Sequence, residues 1–279
     1  MQVESFGDAV LFNQAAGHWL AEAERENNLV LSVLHGELRR GGACRGWVVR
    51  EHGTLRLALF QSPPHYLLLS QGPVEAARRA AEAIEGEFPG VVGPAEVTSA
   101  YAEAWTNRHG CEAHLNSEMT FFTLDTVQPF ARPSGCLRRA SAEEFEKLVP
   151  LAGAAARDMN LPAAEQEAVE VQNGLRLAIA EGRQFVWAEG ASVRAMAAYV
   201  NALPGAGARI RGVYTPPEFR GRGYGTAVTG ALASWLLEEG EAWVSLFADN
   251  ANAVSTGLYR RLGFVPDSIF RSLRFITIQ

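Results

Sequence analysis

Val213-Tyr214-Thr215-Pro216-Pro217-Glu218-Phe219-Arg220-Gly221-Arg222-Gly223-Tyr224-Gly225-Thr226 is the stretch whose reading decides the fold. Apolar strand text runs out at Tyr214, two prolines stop it, and a glycine-rich turn opens a helix. Glycines at 221, 223 and 225 let the backbone approach a ligand closely and aim consecutive amides into one concavity. Those amides fall at a helix start, where unpaired donors and the macrodipole favour an anion. Arg220 and Arg222 can add charge-assisted bonds to phosphate oxygens. The expectation is a pyrophosphate site. No Gly-Lys-Ser/Thr follows, and the glycines do not fall as G-x-G-x-x-G, so neither the Walker A loop nor the dinucleotide fingerprint is present. Alone, such a turn could be nothing more than a tight strand-to-helix connection.

A second element stands thirty residues further on: Asn252, Ser255, Leu258, Tyr259, Gly263 and Phe264. On a helix, Asn252, Ser255 and Tyr259 share one face, and Val254, Leu258 and Leu262 share another that faces the core. A polar stripe ending in a tyrosine beside a phosphate-binding turn suits a proton donor. By itself Tyr259 reads more readily as a packing residue with its hydroxyl at the surface.

Together these elements resemble the GNAT superfamily of N-acetyltransferases. Arg220-Gly221-Arg222-Gly223-Tyr224-Gly225 fits the family's Arg/Gln-x-x-Gly-x-Gly/Ala loop, and Asn252 to Phe264 fits its later Asn, Leu-Tyr and Gly-Phe pattern. The resemblance covers roughly Gly135 to the C-terminus, and the run Val213–Gly225 is similar to a subgroup of bacterial acetyltransferases with two-part chains. It implies an α/β fold with a mixed sheet that splays open at Arg209–Tyr214, and acetyl-CoA as co-substrate in the gap. Pantetheine would pair with the backbone of Val213, Tyr214 and Thr215. The pyrophosphate would sit on Gly221 to Thr226, with Arg220, Arg222, Tyr224 and Gly225 around it. Asn252 would contact the pantetheine arm, and Tyr259 would protonate the departing thiolate.

One departure from the family concerns the general base, often a Glu on the strand before the loop. The strand here has no carboxylate and carries Arg209 and Arg211 instead. All six histidines lie before Phe130, and Glu189, near a strand end, reads as an ordinary hairpin-turn residue. The base is therefore unassigned. Arg209 and Arg211, two apart on one strand face, are either solvated or positioned to recognise an acidic group on the acceptor.

Outward from this region, the second part reads as strand Cys136–Arg139, a capping box at Ser141–Glu144, and a helix broken at Leu161-Pro162. A second helix to Glu181, strands Phe185–Ala188 and Val193–Val200, a loop Leu203–Gly207 and strand Arg209–Tyr214 follow. After the glycine cluster come a helix with Val228, Ala231, Leu232, Trp235 and Leu236 inward, strand Trp243–Phe247, helix Asn252–Leu262 and strand Ile269–Ile278. The first part reads as helical text over Ala9–Arg40, then strands Trp47–Arg50, Leu55–Gln61 and Tyr66–Ser70 and a helix Val74–Phe88. A short strand at Val91-Val92, a helix Glu96–Arg108 and a strand Met119–Leu124 complete it. The element order from Trp47 parallels that of the second part, so a degenerate GNAT-like copy is the expectation. Its strand-to-helix turn, Leu69-Ser70-Gln71-Gly72-Pro73-Val74-Glu75, has one glycine and a proline and predicts no cofactor loop. Breakers from Gln128 to Gly135 place the boundary between an N-terminal α/β domain, 1–130, and a catalytic domain, 135–279.

The 279 residues, 48% hydrophobic and 20% charged, exclude disorder for most of the chain. Lys and Arg total 25 against 31 Asp and Glu, which gives no basic surplus for nucleic acid. Three scattered cysteines, Cys44, Cys111 and Cys136, fit neither a disulfide framework nor a metal site. Met1–Leu20 has no Lys or Arg, and no apolar run reaches membrane-spanning length, so a cytoplasmic protein without membrane contact is expected. The reading is an acetyl-CoA-dependent N-acetyltransferase acting on a small-molecule or peptide amine, without a metal. The alternative is a non-catalytic regulatory protein that binds acyl-CoA, and a tandem peptidyl or aminoacyl transferase is a third reading.

Overall fold

The computed structural model describes residues 1–159, 161–201, 203 and 206–277. Pro204 and Gly205 of the Leu203–Gly207 loop, and Ile278 of the last strand, lie outside the described residues. In chain order the first elements are β1 (Gln2–Phe6), α1 (Ala9–Phe12), α2 (His18–Glu22), α3 (Glu24–Arg40), β2 (Arg45–Glu51) and β3 (Thr54–Gln61). They are followed by β4 (Leu67–Leu69), α4 (Val74–Ala83), β5 (Gly90–Pro94), α5 (Ala95–His109) and β6 (Cys111–Leu124). The rest are β7 (Cys136–Arg139), α6 (Phe145–Asp158), α7 (Ala163–Gln166), α8 (Ala168–Ala180), β8 (Gln184–Glu189), β9 (Ser192–Asn201), β10 (Gly207–Tyr214), α9 (Tyr224–Glu238), β11 (Trp243–Asp249), α10 (Ala253–Arg261) and β12 (Val265–Thr277).

The chain divides into two compact units: Met1–Met119 together with the stretch from Ser268, and Thr120–Asp267. In the first unit the strands run β1-β2-β3-β4-β5-β12. All neighbours are antiparallel except β4 and β5, and Phe270 to Arg274 of β12 pair with Pro94 to Gly90. The core lies where α4 and α5 cover the sheet, around Leu57, Leu59, Val91, Tyr101 and Trp105. Ala76, Ala77, Ala80 and Ala81 form one small-residue face of α4 and are all buried, as their helical spacing predicts.

The second unit orders its strands as the end of β6, then β11-β10-β9-β8-β7, with β10 and β11 the parallel pair. One face of the sheet packs on α9 and α10 through Val228, Leu232, Leu236, Tyr259 and Leu262. The other packs on α6 and α8 through Leu148, Ala155 and Leu175. The Ser141–Glu144 capping box is formed: the Ser141 side chain meets the Glu144 amide, and Glu144 accepts from Ser141 N at 3.0 Å.

Each unit thus has the same plan: a strand, helices, a hairpin, a parallel strand pair bridged by a helix, and a closing helix. The sixth sheet position is filled by a strand remote in sequence, β12 in the first unit and β6 in the second. The breaker cluster at 128–135 lies inside the second unit, which begins at Thr120. This differs from the boundary drawn at Phe130 to Gly135. The continuous helix expected over Ala9–Arg40 is interrupted by a π-helical turn at Asn13–Gly17 and a non-helical residue at Ala23. The helix after Pro162 is likewise split at Glu167, whose backbone is extended.

The repeat is also visible in one pair of residues. Tyr101 stands six positions after the first residue of α5, as Tyr259 does in α10. Tyr101 is fully buried, its hydroxyl has no hydrogen-bond partner among the described residues, and burial pushes its pKa up. An unsatisfied buried hydroxyl costs about 1–3 kcal/mol, so Tyr101→Phe should raise unfolding stability by an amount of that order, read by denaturant titration. A loss of stability would show that the hydroxyl is bonded in solution.

Candidate active site

Parallel pairing between β10 and β11 covers Gly207 with Trp243, Ala208 with Val244 and Arg209 with Ser245, and then stops. Beyond Arg209, β10 keeps its antiparallel partner β9 but shifts register between Arg211 and Tyr214. Gly212 sits in that bulge at φ +60, a backbone value that suits glycine. The expected splay is therefore present over Ile210–Tyr214, and the bulge is the device that bends the strand away. Val213 joins the α9 side of the core, while Tyr214 packs on the α6 side.

After Pro216 a short 3₁₀ turn, Pro217–Phe219, leads into the glycine loop. Gly221 (φ +75) and Gly223 (φ +82) both hold left-handed backbone, and nothing lies within 4 Å of where a side chain would begin on either. Gly221, Arg222 and Gly223 are exposed, and Gly223 caps α9. The loop is thus an open cradle of amides at a helix N-terminus, of the kind that holds phosphate groups.

The two arginines differ. Arg220 Nε donates to the Thr215 carbonyl at 3.0 Å, and Nη2 donates to Asp158 Oδ2 at 2.7 Å. Its guanidinium also lies 5.6 Å from the centre of the Tyr214 ring, so Arg220 ties the loop to the end of β10. Arg222 has no ion pair among the described residues and stays exposed on the cradle.

Gly225 brings the two sequence elements together. A Cβ there would lie 3.4 Å from both Leu258 Cδ1 of α10 and Thr215 Oγ1. At the head of α10, Asn252 Oδ1 accepts from Ser255 N at 3.0 Å, so its carboxamide caps the helix. The Tyr259 ring is buried between Phe122 and Phe264, with centroids at 6.4 and 6.0 Å. Its hydroxyl is hydrogen-bonded to the Ser255 side chain, and burial pushes its pKa up to about 12. Tyr259 is therefore protonated at neutral pH. Val254 departs from the expected inward face: it is 80% exposed, as the start of α10 from Asn252 is exposed throughout. Leu262 is fully buried, as expected.

Glu189 is not poised as a base. It lies at the β8–β9 hairpin, is bonded to Ser134 and to Arg194 at 2.9 Å, and these partners lower its pKa. Arg209 is half-buried, with its guanidinium 5.4 Å over the Phe247 ring; burial and Arg211 lower its pKa to about 10, opposed by Glu165. Sequence reasoning missed Ser245, which pairs with Arg209 in register and is fully buried. Period-two alternation along β11 would have placed it on the Arg209 side, opposite Val244 and Leu246.

In the first unit the corresponding turn is closed. A Cβ on Gly72 would lie 2.5 Å from the Arg56 carbonyl oxygen, and the Gln71 amide donates to Asn27 Oδ1 at 3.1 Å. An amide engaged by a side chain and a glycine pressed on backbone form no cradle. Among the described residues no group of three or more His, Cys, Asp or Glu side chains is placed to hold a metal. No described helix is long and apolar enough to cross a membrane.

Residues 154–264 match the acetyltransferase (GNAT) family. No curated protein matches the sequence. Among solved structures, the chain is similar to an acetyltransferase from the GNAT family of Colwellia psychrerythraea, with 12% identity, 99% of each chain covered and a TM-score of 0.58. It is also similar to a Drosophila protein at 12% identity, 98% of each chain and a TM-score of 0.69. A tandem GNAT protein from the clavulanic acid biosynthesis pathway aligns at 16% identity over 98% of each chain, with a TM-score of 0.57. At these identities the likeness is one of fold, and it extends over both halves of the chain.

Proposed function

The chain carries a GNAT acetyltransferase domain, and from that premise we propose that it is an acetyl-CoA-dependent N-acetyltransferase acting on a primary amine. The observation that carries this reading is the open cradle of Gly221 and Gly223 at the N-terminus of α9, beside a strand that has left its parallel partner. Acetyl-CoA, when bound, supplies the acetyl thioester. The amides from Gly221 to Thr226, with Tyr224 and Gly225 opening α9, would hold the pyrophosphate, and Arg222 would add a charge-assisted bond. Arg220 serves the same loop by fixing its shape against Thr215 and Asp158. The backbone of Val213, Tyr214 and Thr215, beyond the last pairing with β11, would bond an amide-bearing arm, the Thr215 carbonyl also accepting from Arg220. Asn252 would reach that arm with its carboxamide nitrogen, since its oxygen caps α10. Tyr259 holds a proton at Oη for the departing sulfur, and Ser255 orients that hydroxyl.

The experiment that tests this reading is calorimetry with acetyl-CoA on Gly223→Asp, which keeps a residue type that tolerates left-handed backbone but places a negative charge in the cradle. Affinity should fall at least about tenfold, equivalent to about 1.4 kcal/mol. Unchanged affinity in the folded variant would remove the pyrophosphate assignment. One observation favours a second reading, a non-catalytic acyl-CoA-binding regulatory protein: β10 carries no carboxylate, and Glu189 is engaged by Ser134 and Arg194.

A further inference from the structure

Strand β11 carries a carboxylate to the mouth of the gap. Pairing with β10 ends at Arg209 and Ser245, yet β11 runs on as strand to Asp249. Asp249 therefore stands four residues, about 13 Å, beyond the last pair, as Val213 does on β10. Val244, Leu246 and Ala248 enter the core beneath α9, so Ser245, Phe247 and Asp249 face the other side of the sheet. Tyr259 belongs to the α9 side, which puts the proton donor and Asp249 on opposite sides of the gap. Asp249 Oδ1 accepts from Ala251 N at 2.9 Å, and the Asp249 carbonyl accepts from Asn252 N at 2.9 Å. This turn fixes the carboxylate against the head of α10, the helix that carries Tyr259. The other oxygen, Oδ2, has no hydrogen-bond or ion-pair partner among the described residues. The side chain is half-buried, and Asn250, Ala251 and Asn252 after it are exposed, so solvent reaches this end of β11.

We propose that Asp249 is the general base of the reaction, the group that takes a proton from the acceptor's ammonium. The proposal rests on the acetyltransferase reading and supplies the base that β10 lacks. Other carboxylates of this unit are engaged elsewhere: Asp158 with Arg220, and Glu189 with Ser134 and Arg194. Glu218 is exposed beyond Pro216, on the phosphate side. Arg209 and Arg211 of β10 share the face of Asp249, and Glu165 of α7 acts on Arg209. Phe121 and Thr123 take that face on β6, and the first turn of α10, Ala253 to Thr256, is uncharged. An arginine stays protonated and cannot accept the proton, so the task falls to Asp249. In the step, the ammonium gives one proton to Asp249 Oδ2, which passes it to solvent. The nitrogen lone pair then forms the C–N bond to the acetyl carbon while the C–S bond breaks. Tyr259 protonates the sulfur and is reloaded by the second proton that the nitrogen loses. Ammonium and acetyl-CoA thus yield the N-acetylated amine, the CoA thiol and one proton.

The test measures thiol release with an amine that the parent turns over, drawn from amino acids, polyamines, aminoglycosides and peptides. Asp249→Asn keeps an oxygen to accept from Ala251 and removes the charge that takes the proton. At neutral pH it should lower kcat/KM for the amine about 100-fold, with the acetyl-CoA Kd by calorimetry within twofold of the parent. The deficit should shrink as pH rises toward the pKa of the amine, about 10 for a lysine-like one, because the amine then arrives without its extra proton. Parent-like kcat/KM in Asp249→Asn, or a deficit equal at every pH, would overturn the base assignment and leave acetyl transfer standing. No thiol release with any of these amines, in parent protein that binds acetyl-CoA, would overturn acetyl transfer itself and this proposal with it.

Discussion

Tyr259→Phe should lower kcat about 100-fold and leave the acetyl-CoA Kd unchanged, the pattern of a lost general acid. The ring is buried between Phe122 and Phe264, and phenylalanine keeps that packing. What disappears is one proton and the bond to Ser255. Because burial holds the Tyr259 pKa near 12, the donor stays loaded across the neutral range, and its own titration should not shape the pH–rate profile below about pH 10. Ser255→Ala separates positioning from donation: it leaves the proton in place but frees the hydroxyl, so a smaller fall in kcat is expected. Wild-type turnover in Tyr259→Phe, measured where chemistry limits the rate, would show that another group or water protonates the sulfur.

The second large effect falls on the first unit although the changed residues stand at the far end of the chain. Strand β12 supplies that unit's sheet from Phe270 to Arg274, paired along β5, and Phe270 is 2% exposed. Phe270→Ala should cost about 3–5 kcal/mol of stability, as buried Phe truncations do. A chain ending at Asp267 loses the strand outright. It should show accelerated hydrogen exchange in β4, β5 and α5, which lie in or on the sheet that loses its end strand. Unchanged protection of the β5 amides in the truncated chain would contradict the pairing of β12 with β5.

That strand placement is also the part of the fold that the sequence hid. Ile269–Ile278 reads as a strand from its apolar residues, but nothing local says which sheet it joins, because pairing across nearly two hundred residues is set by topology rather than by composition. The same applies to β6, recognised over Met119–Leu124 but running from Cys111. Its earlier half carries Glu112, His114, Asn116 and Glu118, too polar to read as strand. At five residues, β1 is too short for a periodic signal. The glycine loop was legible because Gly221 and Gly223 need left-handed backbone and prolines stop the strand before them, both of which are written in residue types. The role of Arg220 was only half legible: a charge beside a phosphate cradle reads as a ligand contact, and only the fold brings Asp158 within 2.7 Å of it. Arg209 was open between solvent and cleft, and the structure lays it half-buried over the Phe247 ring.

The most direct measurement of the central claim is release of CoA thiol from acetyl-CoA over a panel of amino acids, polyamines, aminoglycosides and peptides, with the acetylated amine identified by mass spectrometry. The account predicts release that depends on one class of amine, scales with enzyme, and yields the N-acetylated product. Binding of acetyl-CoA with no amine-dependent release and no acetylated product would contradict it and leave a protein that holds the acyl-CoA without turning it over.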